Sequence, residues 1–285
     1  MIQMKKVLLI VLVIAFAAVC FVGCAPKTET SGSEASGSAD ASAAAVDDSL
    51  DKIKEKGEFV MGMDDSFPPM GFKGDDGELT GFDVEMAQAV AEHMGVKVNL
   101  QAIDWSAKEM ELDAGNVDLL WNGYTITDER KEKVLMSEPY MENEQVIVVT
   151  KDSPVNTLAD LAGKKVAVQD GSSAQEAIDG NEELKNSIAE QIDFKDNVTA
   201  MMDVSSGQVD ALAVDLVVAN YYLAKQPDQF RILDETLAPE EYGIGFRKGE
   251  EAFKKAVEEA LAEMKKDGTA AEISTKWFGK DVTTF

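Results

Sequence analysis

The chain has 285 residues, with 53 acidic against 27 basic side chains and a formal net charge of −26. That field disfavours nucleic acid and anionic lipid surfaces as partners. One histidine, His93, and two cysteines near the N-terminus, Cys20 and Cys24, leave little for metal ligation or a His-activated nucleophile. No GxxxxGK phosphate loop occurs, and no cofactor or metal is expected.

Met1–Gly23 places Lys5 and Lys6 ahead of an apolar run from Val7 to Val22, the pattern of a signal peptide over residues 1–23. The run falls just short of the ~17–25 residues that span a bilayer. Phe21-Val22-Gly23-Cys24 resembles a bacterial lipobox with Phe21 in place of the usual leucine. That resemblance implies a lipid on Cys24 and export to the outer face of the cytoplasmic membrane as a lipoprotein. Residues 24–46 are Ala-, Ser- and Gly-rich, too poor in apolar bulk to offset the entropy of ordering, so they read as a flexible linker. About twenty coil residues reach roughly 25 Å. The remainder has no cysteine, and its length suits one large or two modest domains held by core burial alone.

In chain order the pattern predicts a helix over Ser49–Lys56 and a strand over Phe59–Met63. A helix over Asp83–Met94 follows, its apolar residues Ala87, Val90, Ala91 and Met94 at helical spacing and His93 on its boundary. Next come a strand over Val96–Leu100, a helix over Ala107–Ala114 and a strand over Val117–Trp121. A polar loop follows, then a helix capped by Thr127. Gln145–Thr150 and Lys165–Val168 are valine-rich strands, and Gln175–Ile178 opens a helix. Helices alternating with short hydrophobic strands mean an α/β fold with a largely parallel sheet.

One unit occurs twice. LDAGNVDLL at 112–120 is echoed by VSSGQVDAL at 204–212: helix end, glycine turn, polar residue, valine, aspartate, strand core. The first copy delivers Asn122 and Gly123 beyond its strand, the second Asp215. In open α/β sheets ligands bind past the C-terminal ends of strands, so two such domains face to face would share a cleft. After the first copy, Asn122 and Gly123 offer carbonyls, Thr125 a hydroxyl and an N–H, and Arg130 a fork matched to a carboxylate. A third strand end leads through Gln169 to Gly171-Ser172-Ser173 at a helix N-terminus, a place for an anion or simply a cap. Locally, Arg130 also reads as a surface ion pair, Asp215 as an N-cap, and Phe67 and Trp105 as core aromatics.

Taken together, Gly62-Met63-Asp64-Asp65-Ser66-Phe67-Pro68-Pro69, Gly81-Phe82-Asp83-Val84, Thr125-Ile126-Thr127-Asp128-Glu129-Arg130, Ser137-Glu138-Pro139-Tyr140, Tyr242-Gly243-Ile244 and Lys276-Trp277-Phe278-Gly279 carry a resemblance. From Gly57 to Gly279 the chain resembles the bacterial extracellular solute-binding proteins of family 3. These are the polar-amino-acid-binding proteins of ABC importers, such as the glutamine- and lysine/arginine/ornithine-binding proteins.

The resemblance implies a two-lobed, type II periplasmic-binding-protein-like fold. Each lobe is a mostly parallel sheet flanked by helices, and two hinge strands near Tyr140–Glu144 and Ala238–Tyr242 join them. Lobe 1 would be residues 47–140 plus 243–285, and lobe 2 residues 141–242. It implies a monomer that binds a free L-amino acid and delivers it to a membrane permease, and no enzymatic activity. A dehydratase-like enzyme and a ligand-sensing ectodomain are the alternatives on this fold.

By the resemblance, Arg130 and Thr125 hold the α-carboxylate, with Ser172 or Ser173 donating from the opposite lobe. Asp215 takes the α-ammonium with the backbone near Asn122 and Gly123. Phe67 and Trp105 flank the ligand side chain, Asp64 meets its far end, and Gln169 touches the pocket. Asp64 beside Asp65 in an acidic field suits a basic amino acid slightly ahead of glutamine or cystine.

Overall fold

The computed structural model describes residues 46–285; residues 1–45, with the expected signal segment, most of the linker and Cys24, lie outside the described residues. The first part of the chain forms α1 (Ser49–Lys56), β1 (Glu58–Met63), β2 (Ser66–Phe67), β3 (Gly71–Lys73), β4 (Leu79–Thr80), α2 (Phe82–Met94), β5 (Lys97–Ala102), α3 (Lys108–Asp113), β6 (Leu119–Thr125), α4 (Asp128–Lys133) and β7 (Leu135–Met136). The middle forms β8 (Met141–Thr150), β9 (Lys165–Gln169), α5 (Ser173–Gly180), α6 (Glu182–Ser187), β10 (Glu190–Phe194), α7 (Asn197–Ser206), β11 (Ala211–Asp215), α8 (Leu216–Lys225), β12 (Phe230–Ile232) and β13 (Ala238–Phe246). Two helices close the chain, α9 (Glu251–Asp267) and α10 (Thr269–Phe278). They return to the first part and pack on α1 and α2.

The main sheet runs β10-β9-β11-β8-β13-β6-β1-β5. Each end is a parallel trio, β5-β1-β6 and β10-β9-β11, with the earliest strand of the trio in its middle. Antiparallel β8 and β13 stand between the trios and pair with each other along Met141–Gln145 and Ala238–Tyr242. The chain therefore makes an α/β fold with two similarly wound halves, as expected from the alternation of helix and strand.

The repeated sequence unit has a structural cause. Asp118 donates its N–H to the Val60 carbonyl at 2.8 Å and accepts the Val60 N–H on its carboxylate at 2.7 Å. Asp210 does the same to Lys165, at 2.9 and 2.8 Å. Each aspartate thus starts its strand against the first strand of its own half. Gly115 and Gly207 before them take φ +77° and +75°, a left-handed turn that costs a side-chain-bearing residue about 1–2 kcal/mol.

Three of the boundaries that differ from expectation bear on the site. The strand placed at Val117–Trp121 continues to Thr125, and every residue of β6 is buried. β13 pairs with Tyr124 and Thr125, and the Gly123 N–H is satisfied by the Asp83 carboxylate. The expected polar loop is therefore the end of a strand. The strand at Gln145–Thr150 begins at Met141 and includes the segment expected as a hinge. The helix at Ala107–Ala114 is preceded by a 3-10 turn, Trp105–Ala107, which Asp104 caps through the Ser106 N–H.

Asp83 pins α2 to the end of β6. It is wholly buried and accepts from the Gly123 N–H at 2.7 Å and the Tyr140 hydroxyl at 2.8 Å. Burial outweighs those two bonds and raises its pKa from 3.8 to about 7. A raised folded-state pKa means that Asp83 contributes stability fully below about pH 4 and loses it as pH rises towards 7. Urea unfolding of wild type and Asp83→Asn across that interval is expected to show wild type losing stability relative to the variant. Parallel curves would mean that Asp83 titrates as it does in water.

Candidate functional site

Three polar clusters lie where the C-terminal ends of the two parallel trios face each other. The first centres on Arg130, which follows the Thr127 cap of α4; the Thr127 hydroxyl accepts the Arg130 N–H at 3.2 Å. Its side chain is 2% exposed. Nη1 donates to the Thr125 carbonyl at 3.1 Å, Nη2 to the Gly171 carbonyl at 3.3 Å, and Nε to Glu176 at 3.0 Å. The guanidinium also stacks on Tyr124 at 4.8 Å. Thr125 and Ser173 meet hydroxyl to hydroxyl at 3.0 Å, and Lys108 reaches the Gly171 carbonyl at 2.8 Å. Both cations of one half thus converge on one carbonyl of the other. Burial, helped by the positive charge of Arg130, lowers the Lys108 ammonium to about 8.

Asp215 anchors the second cluster. It occupies the N-cap position of α8 but makes no capping bond. Its carboxylate instead accepts from the Asn143 amide at 2.9 Å and the Tyr242 hydroxyl at 2.5 Å. The same Asn143 amide donates to Glu240 at 2.6 Å, and Gln145 donates to Glu240 at 2.9 Å. Gln145 also donates to Ser173 at 3.1 Å, which joins this cluster to the first. Burial, then the neighbouring Glu240, push Asp215 well above the usual carboxylate range. Two full charges about 4 Å apart repel by about 4 kcal/mol at an effective dielectric of about 20.

The third cluster surrounds Asp64. Gln169 at the end of β9 donates to it at 2.6 Å, and Ser66 donates with its N–H and hydroxyl at 2.9 and 2.6 Å. Asn197 fixes Gln169 through its carbonyl oxygen at 2.8 Å, and Asn122 donates to the Asp64 carbonyl at 3.4 Å. Burial raises the Asp64 carboxyl, and the Ser66 and Gln169 bonds offset part of that rise.

The structure therefore brings Arg130, Thr125, Ser173 and Asp215 into one hydrogen-bonded network, and Asp64, Gln169 and Asn122 into another. Ser172 stands apart, because its hydroxyl accepts the Gln175 N–H and caps α5. Gly123 holds Asp83 and packs beneath Phe67. Phe67 and Trp105 are both buried; Trp105 meets Tyr124 edge-on at 5.8 Å with the Lys108 ammonium above it.

Network members that were not among the residues singled out from sequence include Lys108, Asn143, Gln145, Glu176, Asn197 and Glu240. Signals existed. Glu176 lies one turn beyond Ser173 on α5, and Lys108 one turn beyond Trp105. Asn143 and Gln145 alternate onto one face of β8, and Asn143 lies opposite Glu240 in register. A groove of about 1190 Å³ opens beside β8 and β13. It reaches Asn143 and Glu240 but none of the residues that hold Arg130.

The sequence model of the bacterial extracellular solute-binding proteins, family 3, matches residues 59–280. The L-cystine-binding protein of Escherichia coli (strain K12) is 38% identical over 239 residues, covering 82% of this chain and 87% of that protein. An ABC uptake transporter substrate binding protein from Streptococcus pneumoniae, solved with bound histidine, has a TM-score of 0.82 at 40% identity, covering 85% of this chain and 100% of that one. An ancestral amino acid-binding protein described as a precursor of cyclohexadienyl dehydratase has a TM-score of 0.73 at 37% identity, covering 80% and 99%.

Gly171 supplies a test of how tightly the halves meet. It has φ +71°, and a Cβ there would lie 2.9 Å from the Ser106 Cα of the facing half. Gly207 has the same backbone strain, φ +75°, with open space around it. Gly207→Ala is expected to cost about 1–2 kcal/mol with no change of shape. Gly171→Ala is expected to cost more and to enlarge the radius of gyration in small-angle scattering. Equal costs and equal radii would show that the Gly171–Ser106 contact does not hold the halves together.

Proposed function

This chain belongs to the bacterial extracellular solute-binding proteins of family 3, and we propose that it captures a free polar L-amino acid between its two halves for a membrane permease of an ABC importer. One observation carries the reading: a buried guanidinium on one half, Arg130, and a buried carboxylate on the other, Asp215, are joined through Thr125, Ser173, Gln145, Glu240 and Asn143. An amino acid presents the complementary pair of charges at fixed separation. Arg130 and Thr125 take its carboxylate with Ser173, and Asp215 takes its ammonium. Burying either ion alone costs several kcal/mol, so both walls are needed at once. A ligand that binds only the closed form draws the halves together by that difference in affinity. Residues 47–140 with 243–285 act as one lobe and residues 141–242 as the other, with β8 and β13 as the hinges. Glu176 holds Arg130 at 2.8 Å and keeps the guanidinium paired beside the ligand.

The side-chain end of the ligand faces Asp64, Gln169, Phe67 and Trp105. The relatives differ here, since one is named for cystine and another was solved with histidine, so the choice rests on this chain's residues. Asp64 supplies a carboxylate at the far wall, which favours lysine, arginine or ornithine slightly ahead of glutamine or cystine. The dehydratase alternative draws on the ancestral relative alone. It would need a proton donor aimed at a leaving group, whereas the polar groups of the cleft are assigned to the two charges of the ligand. Attachment through a lipid on Cys24 completes the proposal, and a tether there would keep the folded part near its permease.

A thermal-shift panel of the common L-amino acids tests it. The ligand at about a hundred times its dissociation constant adds roughly 2.7 kcal/mol, and Arg130→Ala abolishes the shift. No shift with any amino acid would overturn the reading. Stronger stabilisation by glutamate or aspartate than by arginine would overturn the order of preference.

A further inference from the structure

Asp215 and Glu240 form a pair that the amino-acid reading does not require, since one ammonium needs one carboxylate. The pair is built deliberately. A single amide, Asn143 Nδ2, donates to both carboxylates, and Gln145 Nε2 adds a second bond to Glu240. Both amides have turned their N–H groups towards the acids, and the Asn143 and Gln145 carbonyl oxygens are left buried without a partner. Orphaning two buried acceptors is costly, so the demand for donors at the acid pair is strong. Yet among the described residues every donor to the pair is neutral: Asn143, Gln145 and the Tyr242 hydroxyl. The two cations of the cleft are committed elsewhere, Arg130 to Glu176 and Lys108 to Gly171 and Glu109.

Asp215 is buried beside the half-buried Glu240, and with only neutral donors to both it does not carry a charge comfortably. It holds a proton until another positive charge arrives. The surroundings push the same way. Tyr140 lies behind Tyr242 at a ring separation of 6.2 Å, and the groove beyond Glu240 carries Glu142, Glu144, Glu241 and Asp281 against Lys280. Across Ser173 and Thr125 the Arg130–Glu176 pair is already balanced. That groove also gives Glu240 a route to solvent, because Asn143 and Glu240 line it.

We infer that Asp215, with Glu240 held beside it by the Asn143 amide, carries a proton and gives it up when the ammonium of the amino acid enters. The step is a balanced exchange. The protonated Asp215 carboxyl takes a cation as its O–H bond breaks, and the proton leaves to solvent through the groove beside Glu240. Glu240 is a positioning residue in this scheme: it touches Asp215 through the Asn143 amide and decides whether a proton is there to be released. The inference rests on the reading of Asp215 as the ammonium partner.

Titration calorimetry of the protein with L-arginine, L-glutamine, L-histidine and L-cystine, each in two buffers of different ionisation enthalpy, counts the protons released per ligand bound. Wild type is expected to release a substantial fraction of one proton. Its affinity should rise with pH by up to about tenfold per unit while Asp215 holds that proton. Glu240→Gln is expected to bind with a smaller release and a flatter pH profile, and Glu240→Asp to restore the release. Lys108 and Asp64 contribute equally to wild type and variant, so the difference between them isolates the pair. Equal proton counts for wild type and Glu240→Gln, or none from wild type, would overturn the inference and leave amino-acid binding standing. Undiminished binding by Asp215→Asn would overturn the ammonium assignment itself. No binding heat with any of the four amino acids would remove both.

Discussion

Arg130 and Asp215 are opposite charges, nearly free of solvent, on opposite halves of one sheet. The rest of the site follows from the need to keep each of them paired. Arg130 spends its donors on Thr125, Gly171 and Glu176 and stacks on Tyr124. Asp215 relies on neutral donors from β8 and β13. The asymmetry is functional. A guanidinium keeps its charge at any pH of interest, so its partner must be an anion. A buried carboxylate with only neutral donors can wait for a cation by holding a proton.

The sheet brings these groups together because it is wound the same way twice. Asp118 and Asp210 each lock a strand to the first strand of its half, and those strands, β6 and β11, end at Thr125 and Asp215. The strands β8 and β13 that join the halves also carry Asn143, Gln145, Glu240 and Tyr242 into the network. The connecting strands are therefore part of the polar network itself. A change in their angle would alter the donors that Asp215 sees, which couples the position of the halves to the charge state of the site.

Much of this was legible in the amino-acid sequence. Helix-strand alternation, glycine turns and the repeated Val-Asp unit are local signals, and local hydrogen bonding enforces each of them. Arg130 and Asp215 were readable because ordered motifs surround them. What escaped was long-range. Asn122–Thr125 look like a loop by composition, and distant partners make them a buried strand, β13 at Tyr124 and Thr125 and Asp83 at Gly123. Asn143 and Glu240 lie 97 residues apart in sequence, so nothing local declares their bond. Ser172 and Ser173 are adjacent and chemically identical, and the turn alone decides that Ser172 caps α5 while Ser173 faces Thr125.

The central claim is that two opposed buried charges select the zwitterion. The most direct measurement compares the affinity of the most stabilising L-amino acid with that of its α-amide and its N-acetyl derivative. Each derivative keeps the side chain and removes one charge. The account predicts that both bind at least about 30-fold more weakly, the equivalent of roughly 2 kcal/mol or more for leaving one buried charge unpaired. Either derivative binding as tightly as the parent amino acid would contradict it.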